Sequence, residues 1–356
     1  MLYGGDLYAQ APGVWESFVA PGIIHRIFKR AWITAGEMVT TTAAQTQCIV
    51  SAVQDRFGSA SFDIIYVFQA HAASFVADAL PALLKKDGAI LIDWDAAERP
   101  AAAEQYRFRS KGLRGYLARS FNDLKLAWFE RKLLQVADVT ICAASYDIAY
   151  FESRRPRGKV AAILNCTEVP PDRLPFPTNP LPPQVLFVGL INYWPNRHGL
   201  NLFLNEIWPV VREHHPDAEF SIVGRGVTAD IQKWHGIDGV NVVGAVDSLE
   251  PYYAKCHVAV APMQFSVGSS IKILEALAYN RPIVAFEAAT RRHGLQDGVE
   301  AFIAETSKEF SEKLIHVLNN PDIGLKSAGK GYQYVKSHYC RTSVLEQTKA
   351  LVLETQ

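Results

Sequence analysis

Short apolar runs separated by amphipathic stretches set the rhythm of this chain. Gln184 to Gly189 (QVLFVG) is one such run. A turn region INYWPN follows, and then HGLNLFLNEIWPVV, where Leu200, Phe203, Leu204, Ile207 and Val211 recur at helical spacing. The unit repeats: EFSIVG, a loop RGVTAD and a short helical stretch; VNVVG, then LEPYYAKC; HVAVAP, then SSIKILEALAYN; finally PIVAF. Strands apolar on both faces and alternating with helices predict a parallel sheet covered on both sides, with right-handed crossovers. Such a sheet keeps its chemistry at the carboxyl edge. After Ala304 the chain reads as helices only, ending in RTSVLEQTKALVLETQ, where Val344, Leu345, Thr348, Leu351 and Val352 form one face that needs a partner surface.

The N-terminal half has the same character with weaker punctuation. FDIIYVF, AILID, DVTICAAS and KVAAILN read as strands, with a helix through Ala73 to Leu84 after the first and a long polar and basic stretch after the second. Residues 1–45 contain no clean buried run followed by a glycine-rich turn, so a clear first strand is missing and the start reads as remodelled or incomplete. Between Pro170 and Pro183, PPDRLPFPTNPLPP holds 7 of the 19 prolines, too many for a helix or a central strand. The division predicted is an N-terminal α/β domain over 1–169, a linker over 170–183, a second α/β domain over 184–340 and a C-terminal helix over 341–356.

Composition supports two domains and narrows their partners. A chain of 356 residues exceeds what one core usually holds, and 49% apolar with 20% charged residues excludes wholesale disorder, a collagen repeat and a coiled coil. Lys plus Arg (36) equal Asp plus Glu (36), so nothing in the total points to nucleic acid as a partner. The five cysteines are scattered and never paired as C-x-x-C, which signals neither a disulfide framework nor a zinc site and fits a reducing cytoplasm. No Lys or Arg precedes an apolar run at the start, and no stretch approaches eighteen uninterrupted apolar residues, so neither a secretion signal nor a membrane span is expected.

Three loops leave the predicted carboxyl edge of the second sheet. The sharpest is Gly268-Ser269-Ser270, running into the helix of Lys272 and Glu275 after HVAVAP. Backbone N–H groups and the positive helix end there suit a phosphate, with Ser269 and Ser270 as further donors and Lys272 as a local cation. Glu275, one turn later, can accept hydrogen bonds from both hydroxyls of a ribose; it can equally be an ordinary solvated glutamate. The second loop follows Gly189, which lets backbone approach a ligand, and its Asn196 has the character of an N-cap. The third is Gly224-Arg225-Gly226, where Arg225 either faces an anion or is simply solvated.

Those segments carry a resemblance. FVGLINYWPNRHGLNLFLNEIWP, FSIVGRG, NVVGAVDSLEPYYAKCHVAVAPM and GSSIKILEALAYNRPIVA, over roughly residues 184–290, resemble the nucleotide-sugar-binding domain of the retaining glycosyltransferases headed glycosyl transferases group 1. The likeness is closest to bacterial members associated with exopolysaccharide assembly. It implies the GT-B architecture: two Rossmann-like α/β domains facing across a cleft, with C-terminal helices packing back on them. It implies further that Glu275 binds the donor ribose, residues 268–270 face the pyrophosphate, Val246 lies near the base, and Arg225 and Lys272 neutralise diphosphate charge. Neither a metal nor a cofactor is expected, because side-chain cations and helix ends stabilise the leaving nucleotide in this fold. Many relatives carry a second glutamate eight positions before the ribose-binding one; here Val267 stands there.

The N-terminal half resembles the acceptor domain less strongly. AILIDWDAAERP stands where many relatives have a strand end with a histidine beside the transferred sugar; here Trp94 sits between Asp93 and Asp95. His71, Asp93 and Asp95 are the weak catalytic candidates. Asn165 matches an asparagine that commonly precedes the linker, with Cys166 where glycine is usual. Residues 99–132 hold nine Lys or Arg against three acids, interleaved with aromatic residues. That segment reads either as a surface lying on an anionic bilayer near a lipid-linked acceptor or as a solvated charged face over a buried aromatic stripe.

The expected activity is a cytoplasmic, metal-independent transfer of a sugar from a nucleotide diphosphate sugar to a glycan or lipid-linked glycan, peripheral to the inner face of the membrane and serving cell-surface polysaccharide synthesis. The alternatives are a nucleotide-sugar 2-epimerase of the same fold and a non-catalytic binding or scaffold relative.

Overall fold

The computed structural model describes residues 43–58, 61–94, 96–109, 113–177, 182–265 and 268–354. Asp95, Val267 and the N-terminal segment of the missing first strand lie outside them. The chain forms two compact units, Met1–Ile163 with Ala350–Gln356, and Leu164–Lys349.

The first unit is built on four parallel strands in the order β1 (Phe62–Phe68), β2 (Leu84–Trp94), β3 (Val139–Cys142), β4 (Lys159–Ala162). Each matches an expected strand, but β2 begins five residues before AILID. The helix expected through Leu84 is therefore cut short and divided into Ala70–Val76 and Leu80–Leu83. Trp94 is 1% exposed and packs on Phe151 with ring centroids 5.1 Å apart, so it belongs to this unit's core. Two helices, Glu98–Arg109 and Leu113–Val136, occupy the basic stretch.

The second unit carries six parallel strands: β5 (Gln184–Val188), β6 (Glu219–Val223), β7 (Val240–Gly244), β8 (Val258–Ala261), β9 (Ile283–Phe286) and β10 (Phe302–Ala304). Their spatial order is β10-β9-β8-β5-β6-β7. Chain direction across the sheet reverses between β5 and β8, and a crevice opens at the carboxyl ends of those two strands in any sheet wound this way. All four residues of β8 and of β9 are buried, as expected of strands covered on both faces. Leu200, Phe203, Leu204, Ile207 and Val211 lie fully inside the core on one continuous helical run, Trp194–His214, which passes through a π-helical turn at Phe203–Ile207. That run approaches the sheet closely at Gly199, where a Cβ would fall 2.5 Å from the Pro262 carbonyl oxygen.

The boundary falls at Ile163/Leu164, before the proline-rich stretch. Residues 174–175 are held in the second unit by Arg281, which is 0% exposed. Its guanidinium donates to the carbonyls of Pro175 (2.8 Å), Leu174 (3.4 Å), Asn280 (3.0 Å), Ala254 (3.4 Å) and Tyr253 (2.5 Å). Proline excludes helix and sheet but not docking, because its carbonyl still accepts.

The final helix is Arg341–Leu353. Val344 and Leu351 are buried, whereas Leu345 is 49% exposed and leaves the expected face. Leu351 and Val352 pack on Ala89, Leu91, Val139 and Ile141 of the first sheet, and Lys159 pairs with Glu354. Among the described residues no helix is long and apolar enough to cross a membrane.

Candidate functional site

A cavity of about 300 Å³ opens at the reversal point of the second sheet, beyond the ends of β5 and β8. Gly189, Asn196, Ser269, Ser270, Lys272 and Glu275 all line it, so residues separated by up to 86 positions converge there. Phe265, Met263 and Pro195 supply the apolar wall.

The helix Ile271–Ala278 starts at this cavity, and its amphipathic sequence explains its pose: Ile273, Leu274, Ala276, Leu277 and Ala278 are buried while Lys272 and Glu275 face the opening. Gly268 is buried in the loop before it, with φ of 77°. Asn165 donates through Nδ2 to Ser269 Oγ at 2.8 Å. Sequence reasoning assigned Asn165 to the domain boundary alone; the turn that carries it to Ser269 is a tertiary feature with no local pattern. Of the loop's N–H groups, that of Ser270 donates to His293 Nε2 at 3.1 Å and is already engaged. Burial holds His293 well below the ordinary imidazole range, at about 4, so it is neutral with its proton on Nδ1.

Lys272 and Glu275 share the cavity under opposed pressures. Burial lowers the Lys272 ammonium to about 8, against the pull of Glu275. Burial also raises the Glu275 carboxyl, while a hydrogen bond from the Tyr253 hydroxyl at 3.3 Å and the Lys272 charge hold it down. Tyr253 stacks on Tyr279 with centroids 4.5 Å apart. A lysine in the first turn of a helix opposes the helix dipole, so a bound anion would relieve both.

Asn196 does not cap its helix. The N-cap is Tyr193, and Asn196 lies inside the first turn, 3% exposed, with Nδ2 donating to the Leu190 carbonyl (2.7 Å) and Oδ1 accepting from Lys272 Nζ (2.8 Å). Arg225 is exposed and does not line the cavity; its carbonyl accepts from the Ile191 N–H at 2.8 Å, tying two edge loops together. Val246 is half-buried against the core and is also not part of the cavity wall.

In the first unit His71 lies in the helix Ala70–Val76, and Asp93, near the end of β2, accepts a hydrogen bond from the Tyr66 hydroxyl. Burial, and then the hydrogen bond to Asp93 and its charge, raise that phenol above its ordinary range. The basic stretch turns partly inward. Arg99 makes a bidentate bond to Asp123 (3.0 and 2.9 Å), Lys132 pairs with Asp78 (2.6 Å), and Lys125 is 7% exposed. Arg119 and Arg131 remain exposed. A cavity of about 570 Å³ lies against these helices, lined by Arg99, Tyr106, Tyr116, Arg119 and Asn122.

A crevice at the reversal of a doubly wound sheet, with a loop running into a helix and a carboxylate one turn on, is the place where α/β proteins of this winding commonly bind ligands. Residues 182–320 match the family profile described as glycosyl transferases group 1. The whole chain shares its fold with solved structures at low sequence identity. Sucrose-phosphate synthase from Thermosynechococcus elongatus is 17% identical over 87% of this chain and 78% of that one, with a TM-score of 0.66. HepE of Anabaena in complex with UDP is 12% identical over 88% and 82%, at 0.64. The lipopolysaccharide outer core galactosyltransferase WaaB is 12% identical over 88% and 81%, at 0.61. No curated protein matches the chain in sequence.

Proposed function

We propose that this glycosyltransferase moves a sugar from a nucleotide diphosphate sugar to a glycan or lipid-linked glycan, with retention and without a metal, in the synthesis of cell-surface polysaccharide. The observation that carries the reading is the convergence of Lys272, Glu275, Ser269 and the start of the helix Ile271–Ala278 on one cavity at the sheet reversal. In this reading Glu275 accepts hydrogen bonds from the ribose hydroxyls. Lys272 and the loop N–H groups not engaged by His293 receive the diphosphate, stabilising it as the glycosidic bond breaks. The acceptor hydroxyl attacks from the face the nucleotide leaves and gives its proton to the departing phosphate, so the enzyme contributes mainly positioning. The membrane contact belongs to the same reading. Phe121, Leu124 and Trp128 are exposed at helical spacing on Leu113–Val136, with Arg131 on the same side, a pattern suited to an anionic bilayer.

HepE has been solved with UDP and with UDP-glucose, which makes uridine nucleotides the first probes. The test is thermal shift and calorimetry with nucleoside diphosphates and their sugars in the presence of a chelator, followed by donor turnover with and without acceptor. A ligand at 100 times its dissociation constant stabilises by about 2.7 kcal/mol, which is readily seen. Absence of any nucleotide-dependent shift overturns the reading. Binding without donor turnover indicates a scaffold, and interconversion of free nucleotide sugars an epimerase.

A further inference from the structure

We infer that Asn196 is the positioning residue for Lys272: a buried, uncharged bracket that fixes the ammonium over the Gly189–Leu190 loop and leaves its charge free for a diphosphate. The inference rests on the donor-site reading above.

Both ends of the Asn196 amide are committed, and their chemistry fixes its orientation. Nδ2 can only donate and meets the Leu190 carbonyl; Oδ1 can only accept and meets the Lys272 ammonium, which has no acceptor of its own. The side chain is 3% exposed and sits on a helix locked to the sheet at Gly199, so it is not free to follow the lysine. Space on the far side is equally restricted, since a Cβ on Gly189 would lie 3.1 Å from both Asn196 Nδ2 and Lys272 Cε. Lys272 therefore runs between the Asn196 amide and the Gly189 backbone. The groups around it are the Asn196 amide, the Phe187 ring of β5 at 5.8 Å and, on its own helix, Glu275, whose charge is also engaged by the Tyr253 hydroxyl. Proteins commonly hold a buried lysine with a carboxylate; a neutral acceptor holds it in place without cancelling the charge an incoming anion needs.

The experiment compares the parent with Asn196→Asp, which keeps the shape and the acceptor and adds a negative charge. UDP affinity is measured from pH 6.5 to 10, and the Lys272 ammonium is titrated by NMR in unliganded protein, its resonance assigned by Lys272→Arg. In the parent, affinity falls as pH rises through the lysine midpoint near 8. In Asn196→Asp the midpoint is expected to move up by about one unit or more, because a carboxylate favours the charged amine, while affinity at pH 7 drops by about tenfold or more. An unchanged Lys272 midpoint in the folded variant overturns the inference, since a side chain that merely packs would not move it. Should Asn196→Asp not fold, a cycle of Asn196→Ala and Lys272→Ala decides. If Asn196 acts through Lys272, the first substitution costs at least about tenfold in UDP affinity alone and little in the second background; additive losses overturn the idea. If the parent binds no UDP, the nucleoside diphosphate it does bind takes its place; a parent that binds none refutes the donor-site reading instead, and the NMR titration then tests the Asn196–Lys272 coupling by itself.

Discussion

Glu275 is where the donor-site reading is most exposed to test. Glu275→Gln keeps the shape but removes the charge, and Glu275→Ala removes both acceptor oxygens. At about 1.5–3 kcal/mol for each charge-assisted bond, the alanine variant should weaken nucleoside diphosphate binding by about two to three orders of magnitude, and the glutamine variant by less. Calorimetry on folded protein checks this, and alanine binding as tightly as the parent refutes it. His293 makes a separate prediction about stability. Its imidazole titrates at about 4 in the folded state and near 6.5 when unfolded, so its contribution is complete above 6.5 and is lost as pH falls toward 4. The loss approaches about 3 kcal/mol at the lower end. His293→Gln can still accept from the Ser270 N–H without titrating, and should flatten the acid limb of the thermal stability profile between pH 6.5 and 4. An unchanged limb would mean that His293 is not the group responsible.

Two elements yield predictions of their own. On the helix Leu113–Val136, Leu124 is 70% exposed and Trp128 51% exposed, so replacing both with Ser should leave thermal stability nearly unchanged. In liposome flotation the same double variant should bind anionic vesicles more weakly, whereas equal binding by variant and parent removes this helix from the membrane contact. Arg107, Arg109, Lys111 and Arg114, the other charges of that segment, have side chains outside the described residues and are better probed as a Gln block, with added salt reproducing the effect if they reach the bilayer. The second element is the strap around Leu174 and Pro175. Removing a buried charge that satisfies several carbonyls costs about 3–5 kcal/mol, so Arg281→Ala should lower the melting temperature by on the order of 10 °C. Limited proteolysis should then cut between residues 172 and 183. Unaltered melting and resistance to protease would show that the strap is held by other contacts.

Across the whole molecule, the sequence by itself determined most of the strands, though not the early start of β2 or the short β10. β1 and β5–β9 coincide with runs read directly from residue order: β8 and β9, buried on both faces, must be apolar throughout, and the others are short β-forming runs that stand out between turns. The loop from Gly268 to Glu275 was legible for a similar reason: its small residues, helix start, cation and carboxylate are local in sequence. Tertiary structure alone decided what those residues meet. Asn196 reads as a helix cap because capping is a local property of asparagine, yet the close approach at Gly199 turns it toward a lysine 76 positions away. His293 reaches the site from a segment with no motif, while Asn165 and Tyr253 stand in segments whose pattern gave no sign of it; only chain crossing brings them there. Arg225 and Val246 sit at the expected carboxyl edge but outside the cavity, since register places a residue on an edge without aiming its side chain. The described residues of the proline-rich stretch form neither helix nor strand, and the compact units divide just before it, at Ile163/Leu164. A proline-rich segment loses backbone donors but keeps its acceptors, and whether it swings free or docks depends on a donor such as Arg281 that lies more than a hundred residues further on.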